Sequence, residues 1–410
     1  MEFDPYSEAF FEDPWDVYRW LRDEAPVYHH EGLGFWAVSR YDDCVEVHRD
    51  TATFTSTRGV TLDQLRNAAF GEVVDQVASI IMMDPPVHER MRRLVSRAFT
   101  PRRIAEWEPV VRTVIGRHLD ALAGSEAFDV VTDLAGPFPV DVICEIVGIP
   151  AADRQQIRHW TDTMLEREVG NPFPPAEGIE AAMALHGYMV DLVADRRSRV
   201  FGGVFGGVSV GDGDGDMVDH LVAAEVDRGD GTVERLDDVE VARFVSLLTA
   251  AGAETVTKLV GNGAVVFAEH PDQRARLEAD PSLAGSAVDE VLRWRAPSQY
   301  QGRFALADRE LEGGTIPAGS PVLIVTGAAN RDPRAYDEPD RFDIARTGPV
   351  GISFGHGIHH CIGAHLARLE GKIALTELYR RWPDLTVDLD GVRYVHMTNV
   401  AGPASVPVTV

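Results

Sequence analysis

The run Phe354-Gly355-His356-Gly357-Ile358-His359-His360-Cys361-Ile362-Gly363 leads into the helical pattern Ala364-His365-Leu366-Ala367-Arg368-Leu369-Glu370, so a cysteine stands where a helix opens. Unpaired backbone N–H groups and the positive end of the helix dipole favour thiolate over thiol there, and the thiolate is the form that ligates a metal. Gly357 and Gly363 flank it, permitting a tight turn on one side and close approach of a flat group on the other. Two metal chemistries compete for the sulfur. His356, His359, His360 and His365 could join it around zinc, since Cys361 and His365 are one helical turn apart; yet a paired Cys-x-x-Cys is absent, and a chain of this size needs no structural zinc. The alternative is a single axial thiolate on a heme iron, the ligation that favours O–O cleavage. Cys44 and Cys144, set in ordinary helical patterns, read as small buried hydrophobes.

A second constellation, Ala251-Gly252-Ala253-Glu254-Thr255, lies inside the apolar helical pattern from Val239 to Glu269. An acid followed by an alcohol deep in such a helix is costly unless it is used or paired. The small residues leave a gap on one face, and a threonine hydroxyl can bond the carbonyl one turn back and open a local distortion; the bland reading pairs Glu254 with an arginine. Glu290 and Arg293 share a helical face at i, i+3, ordinarily a weak surface pair. In Asp84-Pro85-Pro86-Val87-His88-Glu89-Arg90-Met91-Arg92-Arg93 the prolines mark a helix start, and the four-residue spacing lets His88 and Arg92 reach one anion together.

The pattern Phe354-x-x-Gly357-x-x-x-Cys361-x-Gly363, continued by Ala364-x-Leu366-Ala367-Arg368, resembles the heme-binding signature of the cytochrome P450 superfamily in its soluble bacterial branch. The resemblance covers nearly the whole chain, because the other motifs follow in the family's order and at its distances. It implies a mainly α cytochrome P450 fold in one domain over residues 1–410, a large helical part with a β-rich portion near 25–60, 300–330 and 385–410. It implies a monooxygenase that inserts one atom of O2 into a small apolar substrate, by hydroxylation or epoxidation, on heme b (iron protoporphyrin IX) with Cys361 as axial thiolate. By the same resemblance Glu254 and Thr255 help deliver protons, and His88, Arg92, Arg303 and His359 hold the heme carboxylates, a task suited to arginine's planar fork. Glu290 and Arg293 become a buried architectural pair completed by an arginine from Pro339-Asp340-Arg341-Phe342; Arg341 fits, with Arg346 as the alternative. The substrate pocket is implied to draw on the stretch from Arg58 to Met83, on Leu247, Leu248 and Ala251, and on Ser298-Gln299-Tyr300 and Asn399-Val400-Ala401. Gln299, Tyr300 and Asn399 are its polar anchors. Pro-rich Asn171-Pro172-Phe173-Pro174-Pro175 is placed like the family's entrance lid, its plain reading being a surface loop.

From His88 to Arg103 the chain carries Arg90, Arg92, Arg93, Arg97, Arg102 and Arg103 against only Glu89. In the family this stretch lies partly on the cysteine side of the heme, where a small acidic iron–sulfur protein docks, so a separate ferredoxin and ferredoxin reductase are expected. Gly261-Asn262-Gly263 lacks the third glycine of a dinucleotide fingerprint and lies in a helical pattern, so direct reduction by a nicotinamide is not expected. A same-fold heme protein driven by peroxide or binding without turnover, and a colourless zinc protein, are the other classes considered.

The elements that must position these groups read as helix-dominated, with long apolar periodicities such as Ala181 to Arg199 and Val239 to Glu269. Strand-like runs are short, at Gly34 to Val38 and from Ile316 to Thr326, where Pro317-Ala318-Gly319 supplies a turn. Gly-rich Phe201 to Asp216 includes Asp212-Gly213-Asp214-Gly215-Asp216, which imitates the opening of a calcium loop; Met217 stands where its glycine belongs and Ala223 where its glutamate belongs, so it reads as a solvated loop. The 410 residues carry 65 acidic against 39 basic side chains, a net charge of −26 that argues against nucleic-acid binding. Three cysteines, no basic-then-apolar N-terminus and no long apolar run point to a cytoplasmic protein with no membrane anchor. Lysine occurs only at 258 and 372 amid abundant arginine, a skew read as a GC-rich bacterial genome.

Overall fold

The computed structural model describes residues 1–67, 79–96, 99–171, 173–201, 216–227 and 231–410. The helices that build and brace the site are α1 Val87–Ser96, α2 Pro101–Ala121, α3 Pro137–Val147, α4 Arg154–Leu165, α5 Ala176–Phe201, α6 Asp238–Glu269, α7 Ala284–Trp294 and α8 Ala364–Arg381. Both long helices foreseen from periodicity are present, α5 extended at both ends and α6 by one residue at its start.

The axis of the molecule is α6, 32 residues long. Asp237 starts it with a capping box: its carboxylate accepts from the Glu240 N–H, and the Glu240 side chain accepts from the Asp237 N–H. Pro271 stops it by steering His270 out of helical geometry. Between these signals α6 is apolar nearly all round, and Val260, Ala264, Val266 and Phe267 are fully enclosed, as suits a helix with neighbours on every side. It packs on α3, α4, α5, α7 and α8. Against α8 the approach is close at Gly371, where a Cβ would lie 2.7 Å from Leu259 Cδ2. Leu259 is one turn beyond Thr255, so this crossing ties the acid–alcohol segment to the helix that the cysteine precedes.

The main sheet has β1 Val27–His30, β2 Phe35–Val38, β3 Phe54–Thr55, β4 Gln301–Ala305 and β5 Pro321–Ile324, in the order β1-β2-β5-β4-β3. The two strand-like runs noted in the sequence are hydrogen-bonded neighbours, since β5 lies parallel to β2 with Val322 opposite Trp36; the other pairings are antiparallel. A three-stranded sheet joins Thr386–Val387, Pro407–Thr409 and Ala127–Asp129. The last strand lies outside the β-rich stretches expected from sequence; it has three residues, too few to show a period.

Three apolar clusters fill the interior, the largest around α6 and two smaller ones beneath the faces of the main sheet. Cys44 and Cys144 are buried in two of them. The Pro-rich segment joins α4 to α5, with Pro172 outside the described residues, and Gly170 N–H donates to the Tyr6 carbonyl at 2.8 Å just before it. Residues 202–215 of the Gly-rich run are likewise outside the described set. Asp216 is a cap rather than a calcium ligand, accepting from the Asp219 N–H and pairing with Arg196 at 2.8 Å. No helix among the described residues is long and apolar enough to cross a membrane.

Candidate active site

Cys361 lies three residues ahead of α8, its N–H donating to the Phe354 carbonyl at 2.8 Å, in a loop shaped by the short turns Ile352–Phe354 and Gly357–His359. Gly357 has φ +69°, and a Cβ there would sit 2.8 Å from the His48 carbonyl oxygen, so both backbone and space require glycine. At Gly363 a Cβ would meet nothing nearer than Cys361 Sγ at 3.9 Å, which leaves that face open. Cys361 is accessible, and burial by surrounding groups raises its thiol; N–H bonds from Gly363 and Ala364 and the nearby cations of Arg92 and Arg368 act in the opposite direction. Arg368 is held over the Phe354 ring at 4.6 Å and paired with Asp289 at 2.7 Å.

Beside the cysteine stands a group of bases that form no ion pair among the described residues, with the Asp84 carboxylate close enough to act on Arg303 and His88. His88 on α1 is 1% exposed, and both its ring nitrogens are buried with no hydrogen-bond partner. Its ring centroid is 4.4 Å from that of His359, whose Nε2 meets Ser56 Oγ at 3.1 Å. Arg303 on β4 is buried and donates to the Gly302 carbonyl; Arg92 donates to the His360 carbonyl at 2.6 Å. Burial pushes Arg303 down to about 10. It pushes His359 down to about 2, reinforced by Arg303, His88 and Arg92. Burial and then Arg92 lower His88. Such mutual suppression is relieved by an anion. The buried orphan nitrogens and the open face at Gly363 fit a flat group carrying carboxylates, so the residues present fit a heme with its two propionates.

The four histidines near Cys361 do not form a zinc set: among the described residues no group of three or more His, Cys, Asp or Glu side chains is arranged to hold a metal ion. The prolines do precede α1 as read from sequence.

On α6 the Thr255 hydroxyl donates to the Ala251 carbonyl at 2.7 Å, the backward bond foreseen from sequence, and the helix continues without a break. Ala251 is exposed and Leu247, Gly252 and Thr255 are half-buried, while the helix is enclosed from Val256 to Phe267, so one edge of α6 is left accessible at this segment. Glu254 is buried, and its partner is not an arginine: Lys258 Nζ lies 2.6 Å from Glu254 Oε1. Sequence reasoning did not weigh Lys258, although its i+4 spacing from the acid was legible.

Glu290 is the centre of a buried ion cluster. Arg293 donates twice to its carboxylate, at 2.7 and 2.8 Å, and Arg346 Nε donates to Oε1 at 3.1 Å. The third member of the cluster is therefore Arg346 rather than Arg341. The Arg341 side chain is exposed and turned to Glu338, and only its backbone carbonyl takes part, accepting from Arg293. Arg346 is the better placed because it also donates to the Asp337 and Glu338 carbonyls, which fold the segment back over α7.

The pocket anchors inferred from resemblance are occupied elsewhere. Gln299 is 4% exposed, accepts from the Tyr18 hydroxyl at 2.7 Å and donates to the Ala296 carbonyl. Tyr300 is enclosed in the N-terminal aromatic cluster. Asn399 donates to the Tyr300 carbonyl at 2.8 Å, and Val400 bridges to Ser298, so the late turn staples the entry of β4. Leu248 is buried in the main core while Leu247 is only partly so. The polar side chains of Ser298–Tyr300 all find partners within the protein, Ser298 on Gln301 and Asn399, Gln299 on Tyr18 and Ala296, and Tyr300 on Leu62 and Thr398, because unpaired polar groups there would be costly. Leu247 and Ala251 remain as accessible pocket candidates; residues 68–78 of the Arg58 to Met83 stretch lie outside the described set.

The cytochrome P450 family model matches residues 32–383. A protein named cytochrome P450 123 from Mycobacterium tuberculosis is 42% identical over 411 residues, covering 100% of this chain and 97% of that one. The Vitamin D(3) 25-hydroxylase of Pseudonocardia autotrophica is 38% identical, with 100% and 96% covered. Among solved structures, the Bacillus subtilis cytochrome P450 PksS of the bacillaene polyketide synthase superposes with TM-score 0.85 at 30% identity, covering 100% of this chain and 99% of its own. The chain belongs to the cytochrome P450 family, and it is a monooxygenase of that family. Family membership implies a heme ligated by a cysteine thiolate.

Proposed function

We propose that this P450 hydroxylates or epoxidises a carbon-rich small molecule, using electrons delivered by a ferredoxin and its reductase. The observation that carries this reading is the juxtaposition of an accessible Cys361, beside the open face at Gly363, with His88, whose buried ring nitrogens have no hydrogen-bond partner. Cys361 would bind the iron, and His88, Arg92, Arg303 and His359 the propionates. When bound, the heme supplies dioxygen activation and O–O cleavage. This chain's residues do the rest: the Gly363 and Ala364 N–H groups and two arginines hold negative charge on sulfur, while Glu254 and the Thr255 hydroxyl move protons at the α6 edge of the cavity.

The substrate enters by desolvation at an edge formed by Ala251 and Leu247, and with Gln299, Tyr300 and Asn399 engaged within the protein, apolar contact dominates its recognition. Relatives named for hydroxylating vitamin D(3) and erythromycin make sterol-like and macrolide compounds the first to try. The test is a titration of the heme-loaded protein with both sets, followed by turnover with a plant-type ferredoxin, its reductase and O2. A spin-state shift and oxygenated product requiring all three support the reading. Full product yield from hydrogen peroxide alone contradicts it.

A further inference from the structure

Glu254 and Lys258 form an ion pair in the most enclosed part of α6, their side chains 7% and 3% exposed. Lys258 Nζ also donates to the Pro403 carbonyl at 3.1 Å. Its stem passes Gly402, where a Cβ would come within 2.9 Å of both Lys258 Cβ and Cδ. One of only two lysines in the chain is thus threaded through a gap that a glycine keeps open. A compact ammonium suits that gap better than a planar guanidinium. From α4, Asp162 and Arg158 face the pair, 3.6 Å apart; burial, then Glu254, pushes Asp162 up to about 7, with Arg158 and Lys258 opposing and Glu166 adding to the rise. A carboxylate so enclosed and left without its cation takes up a proton instead of keeping its charge.

We propose that Lys258 is a positioning residue of the oxygenation reaction: its ammonium keeps Glu254 a carboxylate in a fixed orientation beside Thr255, and so sets the pH range in which that acid exchanges protons with the cavity. This rests on the proton-relay reading above. The relay acid then carries a built-in counter-ion four residues along its own helix.

The test uses heme-loaded protein with Lys258→Met and Lys258→Gln, Glu254→Gln, and the double variant Glu254→Gln/Lys258→Met. Glutamine keeps a neutral hydrogen bond in place should the methionine chain fail to fold. Infrared difference spectra at neutral pH are expected to show a new carboxylic-acid C=O band in the lysine variants that is absent from the double variant. With a plant-type ferredoxin and its reductase as electron source and no added substrate, peroxide released per O2 consumed is followed against pH. Its midpoint is expected to move up by about one unit or more in the lysine variants, and the double variant is expected to match Glu254→Gln alone. No new band and an unmoved midpoint in the lysine variants overturn the proposal. If Glu254→Gln itself leaves the peroxide fraction and its pH profile as in the parent, the relay reading fails, and the infrared band still reports separately on what Lys258 does to Glu254.

Discussion

At the residue scale, the Thr255 hydroxyl shares the cavity edge with Ala251 and bonds its carbonyl, so it can turn between backbone and pocket without leaving an unpaired donor deep in the core. Replacing it removes the hydroxyl proposed to handle protons and should leave packing intact. Thr255→Ala is expected to keep heme and substrate spectra while raising peroxide released per product by about tenfold or more. Oxygen, peroxide and product measured together decide this, and unchanged coupling argues against the relay. His88 offers a second check, because on the proposed reading a heme carboxylate would take its orphaned nitrogens. His88→Phe should fold and retain the shape of the site but release heme faster to a heme-scavenging globin, by about tenfold if one charge-assisted bond is lost.

At the scale of elements, α7 is tied to the segment ahead of the cysteine loop through the Glu290 cluster. Removing Glu290 leaves Arg293 buried and Arg346 half-buried without their carboxylate, so Glu290→Ala should cost about 3–5 kcal/mol. Arg346→Ala removes the bond to Glu290 together with those to the Asp337 and Glu338 carbonyls and is expected to cost about 1–3 kcal/mol. Arg341→Ala, whose side chain is exposed, should fall within about 0.5 kcal/mol of the parent. Chemical denaturation of the three variants checks that order, and an Arg341 effect equal to that of Arg346 would contradict it. The two arginines are five residues apart on an irregular segment, and spacing alone does not say which one folds back. Only the turn through Asp337 and Glu338 decides it.

Over the whole molecule, a chain of net charge −26 carries a concentrated basic stretch at α1 and the start of α2. An acidic electron donor approaching elsewhere meets repulsion, and approaching there meets attraction screened by salt. Reversing Arg90 and Arg93 to glutamate is expected to slow reduction by ferredoxin on the order of tenfold at low ionic strength and to matter little at high salt. Stopped-flow reduction across a salt series tests this, and a salt-independent effect would point away from steering.

The parts of this molecule legible in the sequence are those with a local signature. The apolar period of α6, the glycines around Cys361 and the prolines ahead of α1 each encode their geometry within a few residues. What was not legible depends on long-range partners. Gln299 and Tyr300 look like pocket groups in one dimension, but Tyr18 and the N-terminal aromatic cluster claim them in three. The partner of Glu254 is not the arginine that the abundance of that residue suggests but a lysine one turn along the same helix.

The most direct test is the absorption spectrum of heme-loaded protein, reduced and then exposed to carbon monoxide, for the parent and for Cys361→His. A Soret band near about 450 nm in the parent, absent from the variant, is the outcome that thiolate ligation by Cys361 requires. A parent spectrum identical to that of Cys361→His would contradict it.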